Sequence, residues 1–210
     1  MRPVLTAGDL EGISSGGEVT VTSDTLTTPL AREEADLRSI QIRVVEAERA
    51  AAYQPGGQEK RTVAICADHG GFELKQYLAG YLRDWGYAVL DLGTSSTEAV
   101  DYPDLAEAVA QAVARGDAWR GVVIDSAGIG SSIAANKVPG ARAALCYDKA
   151  TARNSREHND ANVISLGARL IPAESARELL AVWLETPFAG GRHQRRVDKI
   201  RAIEERHTRK

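Results

Sequence analysis

Two cysteines in 210 residues, no apolar run long enough to cross a bilayer and no surplus of basic charge set the first bounds on this chain. Cys66 and Cys146 sit inside strand-like runs, which reads as two buried thiols in a reducing cytoplasm and not as a disulfide framework. Neither has metal-ligand spacing to another Cys or His, so no metal site is expected. The N-terminus is too polar for a secretory signal. With no spanning segment, the expectation is a cytoplasmic protein that has no membrane partner. A formal net charge of −3 argues against a nucleic-acid surface. Also missing is the dinucleotide fingerprint G-x-G-x-x-G. The first strand–helix junction reads Asp68-His69-Gly70-Gly71, which disfavours a nucleotide-binding Rossmann domain. What remains, at 43% hydrophobic and 26% charged, is an ordinary globular composition with room for one good core and a small appendage.

Residues 1–45 form the appendage. Thr6 to Leu10 starts a short helix, Glu18-Val19-Thr20-Val21 alternates like a half-exposed strand, and Ile40 to Val45 is a second strand-like piece. Thr28 as N-cap, Pro29 at the first helical position and acids in the next turns mark a helix start. So small a βα module has little core of its own and is expected to lean on a partner or another copy. Residues 46–60 run into Gln54-Pro55-Gly56-Gly57-Gln58 and read as a linker.

Residues 61–207 alternate strands and helices. Strands are expected at 62–67, 87–92, 122–124, 142–146 and 162–166. Helices are expected at 72–85, 105–115, from Ser131 or Ser132 to just before Pro139, and at 149–157, 174–185 and about 191–207. Repeated βα units with buried apolar strands predict an α/β fold with a five-stranded parallel, doubly wound sheet, plus the small N-terminal extension. Ligands in such sheets bind beyond the carboxyl ends of the strands. Asp68-His69, Asp101-Tyr102, Asp125-Ser126 and the region after Cys146 all fall at that edge.

The stretch Gly121 to Gly140 is the centre of this arrangement. A buried-strand run ends at Asp125, and Ser126-Ala127-Gly128-Ile129-Gly130 leads into a helix. Small residues there let backbone N–H groups approach an anion, with the helix N-terminus adding positive partial charge. A carboxylate beside an anion site asks for a chemical reason, and proton abstraction is one; the alternative is that Asp125 caps the helix. Asp68-His69 is either a turn with an Asx-type bond or a functional pair. His158 ends a helix, as a cap of its C-terminus or as a general acid. Arg192 and Arg196, four apart, share a helix face and suit a phosphate, or else form a solvated basic turn.

The segments CADHGGFELK (66–75), DYPD (101–104), GIGSSIAANKVPGARAAL (128–145), SREHNDANVISLGAR (155–169) and GGRHQRRVDKI (190–200) resemble, in order, the ribose-5-phosphate isomerase B family, which includes galactose-6-phosphate isomerase subunits. The resemblance implies a Rossmann-like three-layer fold. It also implies a dimer, or a dimer of dimers, with active sites shared between subunits. The implied reaction is cofactor-free interconversion of an aldose phosphate and a ketose phosphate. Asp68 and His69 would contact the sugar and Tyr102 would line the pocket. The backbone from Ser126 through Gly128 to Gly130 would form the anion hole for an enediolate. His158 would help open the sugar ring, with Asn159 binding near it, and Arg169, Arg192 and Arg196 would hold the phosphate, some of them reaching across the dimer interface.

In many relatives the position of Asp125 is the cysteine that abstracts the proton, and in others a glutamate at the position of Ser131 is the base. This chain has neither, and the family's ring-opening hydroxyl falls on Ala127, leaving Ser126 or Ser131 to supply one. A carboxylate serves this chemistry as well as a thiolate, and burial would raise its pKa toward the working range. The expectation is therefore Asp125 as the replacement base in a ribose 5-phosphate to ribulose 5-phosphate isomerase. A hexose 6-phosphate isomerase and a non-catalytic sugar-phosphate-binding protein are the alternatives. The pattern TAGDLEG…GEVTVTSDTLTTPLAREEADLRSIQI is similar to N-terminal extensions of enzymes of bacterial microcompartments. It implies a cargo or assembly role among shell or cargo proteins, the alternative being a dimer-stabilising appendage.

Overall fold

The computed structural model describes residues 3–22, 25–45 and 61–208; the expected linker, 46–60, lies outside the described residues. In the extension, Val4–Leu5 (β1) and Glu18–Thr22 (β2) belong to two separate parallel ladders. The first is completed by Leu26–Thr27 (β3), and the second by Gln41–Val45 (β4). Between β3 and β4 runs helix α1 (Pro29–Leu37). It starts where Pro29 fits the first turn and the Thr28 hydroxyl accepts the Ala31 N–H at 3.2 Å. The β1–β3 ladder escaped the sequence analysis because two residues are too few to show a period of two. Leu10, Val19, Ala31 and Ile40 give the module a small core of its own. It also leans on the larger unit of the same chain, a contact the sequence analysis did not anticipate.

The larger unit holds β5 (Thr62–Ala67), α2 (Phe72–Asp84), β6 (Ala88–Asp91), α3 (Tyr102–Ala114) and β7 (Arg120–Asp125). It continues with α4 (Ile129–Ala135), β8 (Ala143–Leu145), α5 (Lys149–Asn159), β9 (Val163–Gly167), α6 (Ala173–Glu185) and α7 (Gln194–Thr208). The sheet order is β6-β5-β7-β9-β8, all parallel. β5, β7 and β9 are buried on both faces. One face packs Leu78, Leu82, Leu179 and Trp183 against the strands, the other Ala106, Val109 and Ala135. α1 rests on α6, and an Arg153–Glu33 ion pair at 3.2 Å joins α5 to α1. Among the described residues no helix is long and apolar enough to cross a membrane.

Two boundaries differ usefully from expectation. α3 begins at Tyr102 instead of Leu105 because Pro103 fits a first helical turn, which brings Tyr102 to the helix start. α4 begins at Ile129, so Asp125 stands immediately ahead of a helix N-terminus.

Candidate active site

Asp125 ends β7 with 5% of its surface exposed. Its Oδ1 accepts the N–H of Ala127 at 2.8 Å and that of Gly128; its Oδ2 accepts the N–H of Ser131 at 2.9 Å and the Ser131 hydroxyl at 2.6 Å. Each carboxylate oxygen offers two lone pairs, so the group is a filled acceptor. Burial alone would push its pKa up, but the Ser131 hydroxyl and the three N–H groups outweigh burial and hold it below the ordinary 3.8. Three expectations are thereby corrected. Asp125 is not a base raised toward neutrality, since donors and not apolar walls surround it. Gly128 does not offer its N–H to an enediolate, because Asp125 already takes it. Ser131 does not supply the hydroxyl missing at Ala127, because it is 2% exposed and its hydroxyl is turned to Asp125. Gly128 is the N-cap of α4, so Asp125 is not the cap residue, although its Oδ2 takes the Ser131 N–H of the helix's first turn. Gly128 makes the turn possible: its φ is +77°, and a Cβ there would lie 2.5 Å from the Leu145 side chain.

Asp68, at the end of β5, is also buried, at 7% exposure. Its Oδ1 accepts the Gly71 N–H at 3.0 Å; among the described residues its Oδ2 has no hydrogen bond and its carboxylate no ion pair. The Ser126 hydroxyl lies against the same turn, 2.6 Å from where a Cβ on Gly70 would stand. His69 is exposed, and its Nδ1 accepts the Val100 N–H at 3.4 Å. The Tyr102 ring covers Gly130 so closely that a Cβ there would meet it at 2.5–2.7 Å. An open cavity of about 530 Å³ lies here, lined by His69, Val100, Asp101, Asp104 and Leu105. The exposed Arg169 follows β9 at the same edge, and its N–H donates to the Ser126 carbonyl. Asp68, His69, Tyr102, Ser126, Gly130 and Arg169 therefore gather at the carboxyl edge.

His158, Asn159, Arg192 and Arg196 do not. They stand at the end of α5 and the start of α7, at the amino edge of the sheet. Thr186 O there accepts both Arg156 Nε and Arg120 Nη2 at 3.3 Å, and Arg120 is the first residue of β7. β7 itself runs five residue steps, roughly 16 Å, from Arg120 at the amino edge to Asp125 at the carboxyl edge. At the amino edge the sequence analysis missed His193. Its ring stacks on His158 with centroids 4.1 Å apart and planes 5° from parallel. The only signal was a histidine between basic residues in GGRHQRR.

A profile of the ribose/galactose isomerases matches residues 63–200. The chain belongs to the ribose/galactose isomerase family. Ribose-5-phosphate isomerase B of Escherichia coli K12 is 44% identical over 146 residues, 70% of this chain and 98% of that protein. D-erythrulose-4-phosphate isomerase of Pectobacterium atrosepticum is 41% identical over 140 residues, 66% and 92% of the two chains. Among solved structures, ribose-5-phosphate isomerase B of Clostridium thermocellum superposes with a TM-score of 0.69 at 49% identity, covering 70% of this chain and 99% of that one. The Mycoplasma genitalium enzyme with bound ribulose-5-phosphate gives 0.68 at 37%, with 70% and 99% covered. Several segments shared with the ribose/galactose isomerases prove to be scaffold. Lys75, 1% exposed, pairs with Asp91 at 2.6 Å. The Asn136 side chain ties α4 to β8 through the Ala143 backbone at 2.9 Å. Ser155 accepts the Trp183 indole N–H at 3.1 Å.

Proposed function

We propose that this chain interconverts an aldose phosphate and a ketose phosphate through an enediolate, with ribose 5-phosphate and ribulose 5-phosphate as its preferred pair. Family membership carries the class, a sugar-phosphate isomerase. The pentose is favoured by the name of the Escherichia coli relative and by the ribulose-5-phosphate in the Mycoplasma genitalium structure. The Pectobacterium atrosepticum relative, named for a four-carbon sugar phosphate, supports a shorter substrate as the second reading.

The observation that carries the mechanism is the contrast between two buried carboxylates. Asp125 has every acceptor position filled, whereas Asp68, in the turn that the Ser126 hydroxyl lies against, has one oxygen without a hydrogen bond. Asp68 is accordingly the group that takes the proton from the carbon next to the carbonyl. Asp125 acts from behind, holding the loop whose free edge faces the sugar. Ser126 contacts a sugar oxygen in place of the hydroxyl lost at Ala127, and His69, Tyr102 and Gly130 form the pocket wall. His158 opens the ring with Asn159 beside it, and Arg169, Arg192 and Arg196 hold the phosphate.

The two groups stand at opposite ends of β7, a strand roughly 16 Å long, so one chain does not bring both to one pentose phosphate. A two-fold homodimer that sets the His158 edge of one copy against the Asp68 edge of the other completes the site. Ile129, Ile133, Leu170, Ile200 and Ile203 are exposed at the elements such a contact would use. Residues 61–207 are the catalytic unit in this reading. The extension is an assembly or cargo module for a protein-shelled compartment, supported by its TPLAR segment and its separate core.

A coupled assay over tetrose, pentose and hexose phosphates tests the proposal. Ribose 5-phosphate should give the highest kcat/KM. A tetrose preference would overturn the pentose assignment, and no turnover of any sugar phosphate would leave a binding protein.

A further inference from the structure

We infer that His193 is a positioning residue for sugar-ring opening, the plate against which the His158 imidazole is held as its Nε2–H tautomer. The inference rests on the isomerase reading above and deepens it. His158 lies in the last turn of α5. One turn earlier the Asn154 amide nitrogen stands 2.8 Å from its Nδ1. An amide nitrogen only donates, so Nδ1 accepts and the ring hydrogen is on Nε2. That hydrogen bond constrains one edge of the ring. His193 constrains its face, at 4.1 Å and 5°.

Two imidazolium rings at this distance would repel strongly. His193 is the one kept neutral. It is buried, and burial together with His158, Arg192 and Arg196 lowers its pKa below the ordinary 6.5, with Glu157 opposing. Its Nε2 accepts from Arg192 Nε at 3.3 Å, which places its hydrogen on Nδ1, and Nδ1 is buried with no partner. The neutral plate leaves His158 free to carry the mobile proton.

Ring opening of an aldofuranose phosphate breaks the C1–O4 bond. O4 gains a proton, and the C1 hydroxyl loses one to become the carbonyl, so no proton or redox equivalent is consumed. A 2-ketopentose 5-phosphate has its ring-closing hydroxyl blocked by phosphate and is already open. Residues serving ring opening are therefore separable from those serving proton transfer at carbon.

The test compares wild type, His193→Ala and His193→Phe by two readouts. One is the kcat on ribose 5-phosphate against deuterium exchange at C1 of ribulose 5-phosphate. The other is the ¹⁵N spectrum of the His158 ring. Expected for His193→Ala is a ~10- to 100-fold fall in kcat on the aldose with KM little changed, the cost of a misplaced catalytic group. Exchange of the ketose should stay within about twofold of wild type, and the His158 resonances should move toward a tautomer mixture. His193→Phe, which restores the plate and removes the orphan N–H, should recover both readouts. Equal losses on aldose and ketose, or unchanged His158 resonances and aldose kcat in His193→Ala, would overturn the inference while leaving the isomerase standing. A wild type that turns over neither sugar would overturn both.

Discussion

Ser131 supplies two of the four hydrogen bonds that Asp125 accepts, so it is the residue through which that carboxylate is best probed. Ser131→Ala removes the 2.6 Å hydroxyl bond and should cost about 1.5–3 kcal/mol, the range for a hydrogen bond to a charged group. Asp125 has a depressed pKa, so its contribution to stability is present above the unfolded value and is lost as pH falls through the lower folded one. Removing the hydroxyl raises the folded value and should shift the acid limb of urea unfolding to higher pH. An acid limb identical to wild type would show that the Ser131 hydroxyl is not what holds the charge. Asp125→Asn is a poorer probe, because its amide NH₂ would face N–H donors and loosen the loop whether or not Asp125 is a base. From sequence, Asp125 was legible as a strand end beside a glycine turn. Its saturation was not, because the deciding donor lies six residues on and folds back only when α4 starts at Ile129.

Helix α6 carries the extension, and Glu185 at its end is the most unusual group of that contact. Both its carboxylate oxygens are buried, near the Thr28 hydroxyl and the Ala7 N–H, without completing a hydrogen bond to either. Burial pushes its pKa from 4.5 up to about 7; Thr28 and Ala7 oppose this, and Asp9 adds to it. Beside it a cavity of about 350 Å³ is lined by Glu33, Glu34 and Glu157, while Arg38 and Arg153 are already paired with Glu34 and Glu33. An acid with a raised pKa in the docked state binds its proton more tightly there. Docking is therefore strongest below the undocked value and weakens as pH rises from about 4.5 to about 7. The span corresponds to at most on the order of 3 kcal/mol. Glu185→Gln should hold α1 equally well across that window, read as hydrogen-exchange protection of the α1 amides corrected for intrinsic rate. The same pH dependence in the variant would move its origin elsewhere. Longer elements were legible at this scale, from the helix expected at 72–85 to the Thr28-Pro29 start of α1. β1 and β3 were too short, and the first turn of α3 hid behind Pro103, which also reads as a loop signal.

At the scale of the molecule, the order of strands and helices was readable because every βα unit repeats the same buried-strand pattern. The position of the site's second half was not. The resemblance implies a site shared between subunits without saying which residues part company; α5 running back against β9 takes His158 to the edge opposite Asp68, and Arg192 and Arg196 at the start of α7 join it there. The shared-site account makes a mixing test decisive. Asp68→Asn and His158→Ala chains, each nearly inactive alone, should regain about a quarter of wild-type activity when unfolded and refolded together, since half of the random dimers carry one intact site. No regain would mean each chain completes its own site or that the halves never meet. The central claim, a sugar-phosphate isomerase that moves its proton through Asp68, is tested most directly by solvent-deuterium exchange at C2 of ribose 5-phosphate with wild type and Asp68→Asn. The asparagine keeps the acceptor that Gly71 uses and loses only the ability to take a proton. Wild type should incorporate deuterium, and Asp68→Asn should do so ~10²- to 10⁴-fold more slowly with KM little changed. Exchange at the wild-type rate in Asp68→Asn would contradict the account.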